Sequence, residues 1–285
     1  MASSLVHTKT FVQSLLRLTR VGNLIIIAFA QYFTAACLIG PATISDPRLL
    51  LLVASTVMIA AAGYIINDYY DVKIDYINKP DRVVIGKVIK RRYAILFHVL
   101  LSASGILAGT IVSWKIGLVN VVSVFLLWLY SNSLKRIAFL GNLTVALLTG
   151  ASILIVGFLY RAMDPIILIY ATFAFFMTLV REIIKDMEDL KGDNTFGCKT
   201  LPIVFGLRKT KWVIYAIMAI FLVLVLVLNH FYAALPLTYF VLFLFPPMAL
   251  LIAWLVRADM KKDFTFLSTI CKLIMLLGIL SMAWV

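Results

Sequence analysis

Six aspartates in this chain fall into two matching patterns. Asp68, Asp71 and Asp75 lie in NDYYDVKID, and Asp186, Asp189 and Asp193 lie in DMEDLKGD, so the second trio repeats the first at an offset of 118 residues. At about 100° of turn per residue, helix positions 0, 3 and 7 fall within about 60° of one another, which stacks each trio on one face. Stacked carboxylates repel, and each holds its neighbours' protons more tightly unless a cation intervenes. Asp and Asn oxygens with no His or Cys nearby are hard ligands of the kind Mg²⁺ takes, and Mg²⁺ keeps positions for water and substrate phosphate oxygens. The expected ligands are Asn67, Asp68, Asp71 and Asp75 for one ion and Asp186, Asp189 and Asp193 for a second, with Glu182 extending the second face. A single acidic cluster reads more readily as a solvated helix end. Repetition of the same spacing is what points to metal, and two such faces opposite each other would hold a diphosphate.

Basic and phenolic groups interleave with these acids. Lys79 and Arg82 follow the first trio, Arg181, Lys185, Lys191 and Lys199 surround the second, and Tyr130, Lys135 and Arg136 stand between them in YSNSLKR. A departing diphosphate carries more negative charge than two divalent ions neutralise, so direct cationic and hydroxyl donors add stabilisation as its bond breaks. Tyr130, Lys135 and Arg136 read equally as interfacial anchors. Arg20 and Asn23, at the head of the first apolar run, complete the candidate substrate-binding set. His7, His98 and His230 are dispersed, and Cys37, Cys198 and Cys271 show no metal-ligand spacing.

The elements that must carry these groups are membrane spans. Of 285 residues, 63% are hydrophobic and 14% charged, a composition that would leave a soluble domain with intolerable exposed apolar surface. A span needs about 20 mostly apolar residues, and nine candidates meet that measure: 21–39, 49–66, 93–112, 115–130, 142–160, 165–182, 212–229, 235–256 and 264–283. Lys9, Arg17 and Arg20 precede the first without a convincing cleavage site, so it is expected to be retained. The bases concentrate in the N-terminus and in loops after even-numbered spans, leaving Arg48, Lys115 and Arg161 in the other loops. That asymmetry places the N-terminus and the acid-bearing loops in the cytoplasm. It also accounts for most of the net charge of +13 as orientation signal and headgroup contact, so nucleic acid is not an expected partner. Lys87, Lys90, Arg91 and Arg92 belong to that membrane surface. The acids are not needed for orientation, and nine of the 13 lie in two loops on this one side.

With NDYYDVKID, DMEDLKGD, nine spans and the Tyr130-to-Lys135 stretch, the chain resembles the UbiA superfamily of intramembrane prenyltransferases over nearly its whole length. The resemblance implies an all-α polytopic bundle of nine transmembrane helices around a cavity with a cytoplasmic cap. Residues 1–285 would form a single transmembrane prenyltransferase domain, with active-site loops near 67–92, 130–141 and 181–211. INKPDR, REIIKDMEDLKGD and KTLP further resemble the branch that transfers geranylgeranyl groups to geranylgeranylglyceryl phosphate in ether-lipid synthesis. The chain departs from the common pattern where Val21 follows Arg20 and Val83 follows Arg82, positions at which proline is frequent.

The implied activity is Mg²⁺-dependent transfer from a prenyl diphosphate to a lipophilic acceptor, with Asp68, Asp71, Asp189, Lys135 and Tyr130 catalytic. Asn67, Lys79, Arg82, Arg136, Arg181, Lys185, Arg20 and Asn23 would bind substrate, and Arg20 or Lys185 would meet an acceptor phosphate. An apolar, aromatic-rich tunnel would exclude water from the developing carbocation. Alternatives are prenylation of an aromatic acceptor for quinone synthesis, and a cation-coupled transporter, against which no acid falls mid-span. A CDP-alcohol phosphotransferase lacks its Asp-Gly and Ala-Arg pattern here, and a non-catalytic lipid binder leaves two metal-ready faces unexplained. The expected location is the plasma (inner) membrane.

Overall fold

The computed structural model describes residues 12–162, 164–232 and 244–285, without the side chain of Arg82. Lys9 and His7 lie outside the described residues. The elements are α1 (Val21–Phe33, continued by a π-helical turn Thr34–Ile39), α2 (Pro47–Asn78), α3 (Arg91–Val112), α4 (Trp114–Asn132) and α5 (Leu140–Tyr160). They continue with α6 (Pro165–Glu188), α7 (Leu190–Thr195), α8 (Leu201–Tyr232), α9 (Phe245–Arg257) and α10 (Lys261–Ser281). Among the described residues the protein is all-α, with only two isolated β-bridges.

Eight helices among the described residues are long and apolar enough to cross a membrane. They correspond to eight of the nine expected spans. The remaining one, expected at 235–256, is described only over its second part, where α9 has 13 residues. Residues 235–243 lie outside the described residues.

Two helices outrun their apolar stretches, and that is what positions the acids. α2 has 32 residues, about 48 Å at 1.5 Å per residue, against a hydrocarbon core of about 30 Å. Its apolar part is used up by Ile66, so the turns bearing Asn67 to Asp75 run past the hydrocarbon. The helix stops at Asn78 because Lys79 precedes Pro80 and takes an extended φ of −146°. α6 likewise continues beyond the expected end at 182 to Glu188. It starts on a strong signal, Pro165 at its first position and the Asp164 carboxylate accepting from the Ile166 N–H at 2.9 Å.

The chain packs as two compact units, one formed by Met1–Phe29 and Leu50–Leu134, the other by Ala30–Leu49 and Lys135–Val285. In the first, α3 and α4 are joined by Ser113 alone and pack closely. Small residues permit this: a Cβ at Gly105 would press on Ile59, and one at Gly109 would strike the Asn120 amide. Asn120 donates to the Ser55 hydroxyl at 2.6 Å and to the Gly105 carbonyl at 3.2 Å, knitting α2, α3 and α4 by buried polar contacts. In the second unit α6 is the axis, packed by α5, α8 and α10. Its apolar side chains Met177, Ile183 and Ile184 join Ile214, Phe221 and Leu267 in one core. The first acidic trio therefore sits on α2 and the second begins on α6, each the most buried of the membrane-length helices in its own unit.

Candidate active site

In the first unit, Asn67, Asp68, Asp71 and Asp75 lie on one uninterrupted helix and are all half-buried, as the spacing predicts. Asp68 accepts a hydrogen bond from the Arg20 guanidinium at 2.7 Å. Arg20 reaches it from a sharp turn: its φ is +51°, an uncommon left-handed value for a side chain of this size. Its carbonyl accepts from Asn23 N–H at 2.8 Å, which starts α1. The guanidinium also stands 4.9 Å over the Tyr64 ring, one turn before Asp68 on α2, and Arg91 stands 4.4 Å over Tyr69. Lys79, half-buried, closes α2 by donating its backbone N–H to the Asp75 carbonyl at 2.8 Å. Arg82 lies in the following turn, Pro80–Arg82, with its side chain outside the described residues. Tyr130, half-buried, is in the last turn of α4.

The second unit carries the other trio differently. The expectation of one helical face over 186–193 does not hold there, because the helix breaks at Asp189, whose φ and ψ are −94° and 6°. Asp186 lies in the last turn of α6, Asp189 is the break, and Asp193 lies on the short α7. The break lets the chain turn while the Asp193 N–H still bonds the Asp189 carbonyl at 3.2 Å. Asp186 accepts from the Asn142 side-chain amide of α5 at 2.8 Å.

Arg181 and Lys185, the expected substrate donors, bracket Glu182, donating to its two oxygens at 2.6 and 3.1 Å. Glu182 is only 9% exposed in its side chain, and a buried carboxylate is compensated by paired cations of this kind. It serves here as the counter-ion of Arg181 and Lys185, one turn before Asp186 on the same helix. Lys135 and Arg136 form the turn before α5, and the Arg136 carbonyl accepts from the Lys199 N–H at 2.8 Å, tying that turn to the segment after the acids.

No group of three His, Cys, Asp or Glu side chains among the described residues stands close enough to hold a metal unaided. The donor set still suits Mg²⁺: carboxylate and amide oxygens only, each trio's leading aspartate held by a nitrogen donor on one oxygen. Coordination of that ion is normally completed by water and phosphate oxygens. The residues fit an ion that arrives with a diphosphate.

The profile of the UbiA prenyltransferase family matches residues 27–277. The chain belongs to the UbiA prenyltransferase family. Its relatives include the digeranylgeranylglyceryl phosphate synthase of Methanosphaera stadtmanae, 40% identical over 148 residues, a stretch covering 52% of this chain and 54% of that one. The match thus spans about half the length of that relative. In fold it resembles a structure of digeranylgeranylglyceryl phosphate synthase in membranes, with a TM-score of 0.71 at 23% identity over 97% of this chain and 100% of that chain. It also resembles a UbiA homolog from Archaeoglobus fulgidus bound to DMAPP and Mg²⁺, with a TM-score of 0.56 at 16% identity over 95% and 99% of the two chains. The family match runs through both compact units.

Sequence reasoning missed Asn142 and the pairing of Glu182. Asn142 had one weak signal, an amide two residues into an apolar helix. Glu182 had a clearer one, since Arg181 and Lys185 lie one and three residues from it along α6.

Proposed function

We propose that this membrane protein transfers a geranylgeranyl group from its diphosphate to geranylgeranylglyceryl phosphate, releasing diphosphate. The observation that carries this is the pair of aspartate trios at the ends of two apolar helices, each with one carboxylate oxygen engaged by a nitrogen donor. The names of the curated relatives support the acceptor. Residues 1–285 act as one catalytic domain, with the loops near 67–92, 130–141 and 181–211 at the cytoplasmic face of the plasma membrane; the basic loops support that orientation.

Asn67, Asp68, Asp71 and Asp75 would hold one Mg²⁺ and Asp186, Asp189 and Asp193 another. When bound, the ions supply Lewis-acid neutralisation of the leaving diphosphate. Lys79, Arg82, Lys135, Arg136 and Tyr130 add hydrogen bonds to the diphosphate as the bond from C1 to oxygen stretches. Arg181 and Lys185 contribute as a cluster of net charge +1 with Glu182, so their pull on substrate is shared with that carboxylate. Apolar helices exclude water from the allylic centre. The acceptor hydroxyl oxygen bonds to C1, diphosphate departs with the bonding pair, and the hydroxyl proton passes to the diphosphate.

The test incubates purified protein with Mg²⁺, labelled geranylgeranyl diphosphate and separate pools of glyceryl-lipid and aromatic acceptors, with products identified by mass. The expected product is the doubly prenylated glyceryl phosphate, abolished by chelation and by Asp68→Ala or Asp189→Ala in folded protein. Prenylation of the aromatic pool alone would overturn the acceptor, and full activity of both variants the metal sites.

A further inference from the structure

Asn142 is 7% exposed, and its amide nitrogen lies 2.8 Å from one oxygen of Asp186. An amide N–H directed at one carboxylate oxygen fixes the rotation of that carboxylate and leaves the other oxygen's lone pairs for a cation. The partner itself is fixed from two sides. Backbone contacts between Arg136 and Lys199, and the bridge between Ile137 and Lys199, hold the turn ahead of α5 against the segment that follows Asp193. The chain then enters α5 through Phe139 at φ +69°, a strained value that persists only where surroundings enforce it. Along its length α5 packs more extensively on α6 than any other helix does. Gly150 makes that approach possible, since a Cβ there would come within 3.1 Å of the Ala171 carbonyl. The amide is thus delivered to Asp186 by a rigid helix pair.

We infer that Asn142 is a positioning residue that sets the Asp186 carboxylate for divalent-cation binding. The inference rests on the metal reading of the second trio and adds to it a residue outside that trio. On this reading Asn142 acts through Asp186 and is not itself a ligand of the ion or of the prenyl diphosphate.

Full-length protein in neutral-lipid nanodiscs is titrated with Mn²⁺, a spin-active substitute for Mg²⁺, with unreactive geranylgeranyl thiolodiphosphate present, and free Mn²⁺ is read by electron paramagnetic resonance. Variants are Asn142→Leu, Asp186→Asn and the double mutant. Asn142→Leu should weaken the Mn²⁺ site roughly 10–100-fold, the usual loss for an outer-shell partner. At saturating metal its KM for geranylgeranyl diphosphate should stay within about twofold of the parent, because the inferred role is to orient a metal ligand and not to bind that substrate. The double mutant should bind no more weakly than Asp186→Asn, since a residue acting through Asp186 has nothing left to act on. Additive losses, or unchanged Mn²⁺ binding in Asn142→Leu, would overturn the role of Asn142. Unchanged binding in Asp186→Asn would instead overturn the metal reading and the inference with it. Should Asn142→Leu fail to fold, the smaller Asn142→Ser, too short to span the gap to Asp186, replaces it with the same expectations.

Discussion

At the scale of single residues, the leading aspartate of each trio has a different nitrogen partner, and the difference has consequences for metal. Arg20 gives Asp68 a full positive charge at 2.7 Å with side chains 35% and 19% exposed. That guanidinium competes with any ion seeking the same carboxylate until a diphosphate offers it an alternative. A partly exposed pair of this kind is worth about 1 kcal/mol, so Arg20→Gln should tighten Mn²⁺ binding about fivefold in the absence of substrate. The same variant should weaken binding of geranylgeranyl thiolodiphosphate, which loses a cation. Titration of Mn²⁺ with and without the analogue checks both directions, and an unchanged first titration would remove Arg20 as a competitor. Asn142, being neutral, offers Asp186 orientation without competition.

At the scale of elements, the polar seam of α2, α3 and α4 separates two kinds of interhelical energy. Ser55 donates to the Gly105 carbonyl at 2.8 Å and accepts from Asn120. Hydrogen bonds between membrane helices average about 0.6 kcal/mol, whereas forcing an extra methyl into a close-packed contact costs about 1–3 kcal/mol. Gly109→Ala, which drives a methyl into the Asn120 amide, should therefore lower the unfolding midpoint more than Ser55→Ala does. Thermal unfolding in one detergent compares the two. Most of these helices were legible beforehand, because an apolar run of about 20 residues is a local property that membrane burial rewards directly. The acid-bearing turns of α2 were legible too, since nothing between Gly63 and Asn78 interrupts a helix. The break at Asp189 was not: MEDLKGD contains a glycine but no proline. What ends α6 there is the local backbone turn at Asp189, which spacing alone does not encode.

For the whole molecule, the proposed sidedness rests on charge. Lys191 and Arg161 are both exposed, and the first lies in a strongly basic loop while the second stands almost alone. With Cys37 replaced by serine, Lys191→Cys should react with a membrane-impermeant maleimide only in inside-out vesicles, and Arg161→Cys only in right-side-out vesicles. Labelling of both from one side would reverse or break the proposed orientation. The remaining cysteines, Cys198 and Cys271, are buried and stay silent.

Composition and local pattern by themselves determined the membrane class, nearly every helix, and the two trios suited to a hard divalent ion. These properties reside in runs of neighbouring residues, where hydrophobicity, spacing and charge are additive along the chain. Only the tertiary structure decided which donor meets which carboxylate. Arg20 and Asp68 are 48 residues apart, and Asn142 and Asp186 are 44 apart. Whether such groups touch depends on the rotation and register of packed helices, set by where glycines and bulky side chains allow backbones to approach, and no spacing within one helix contains that information.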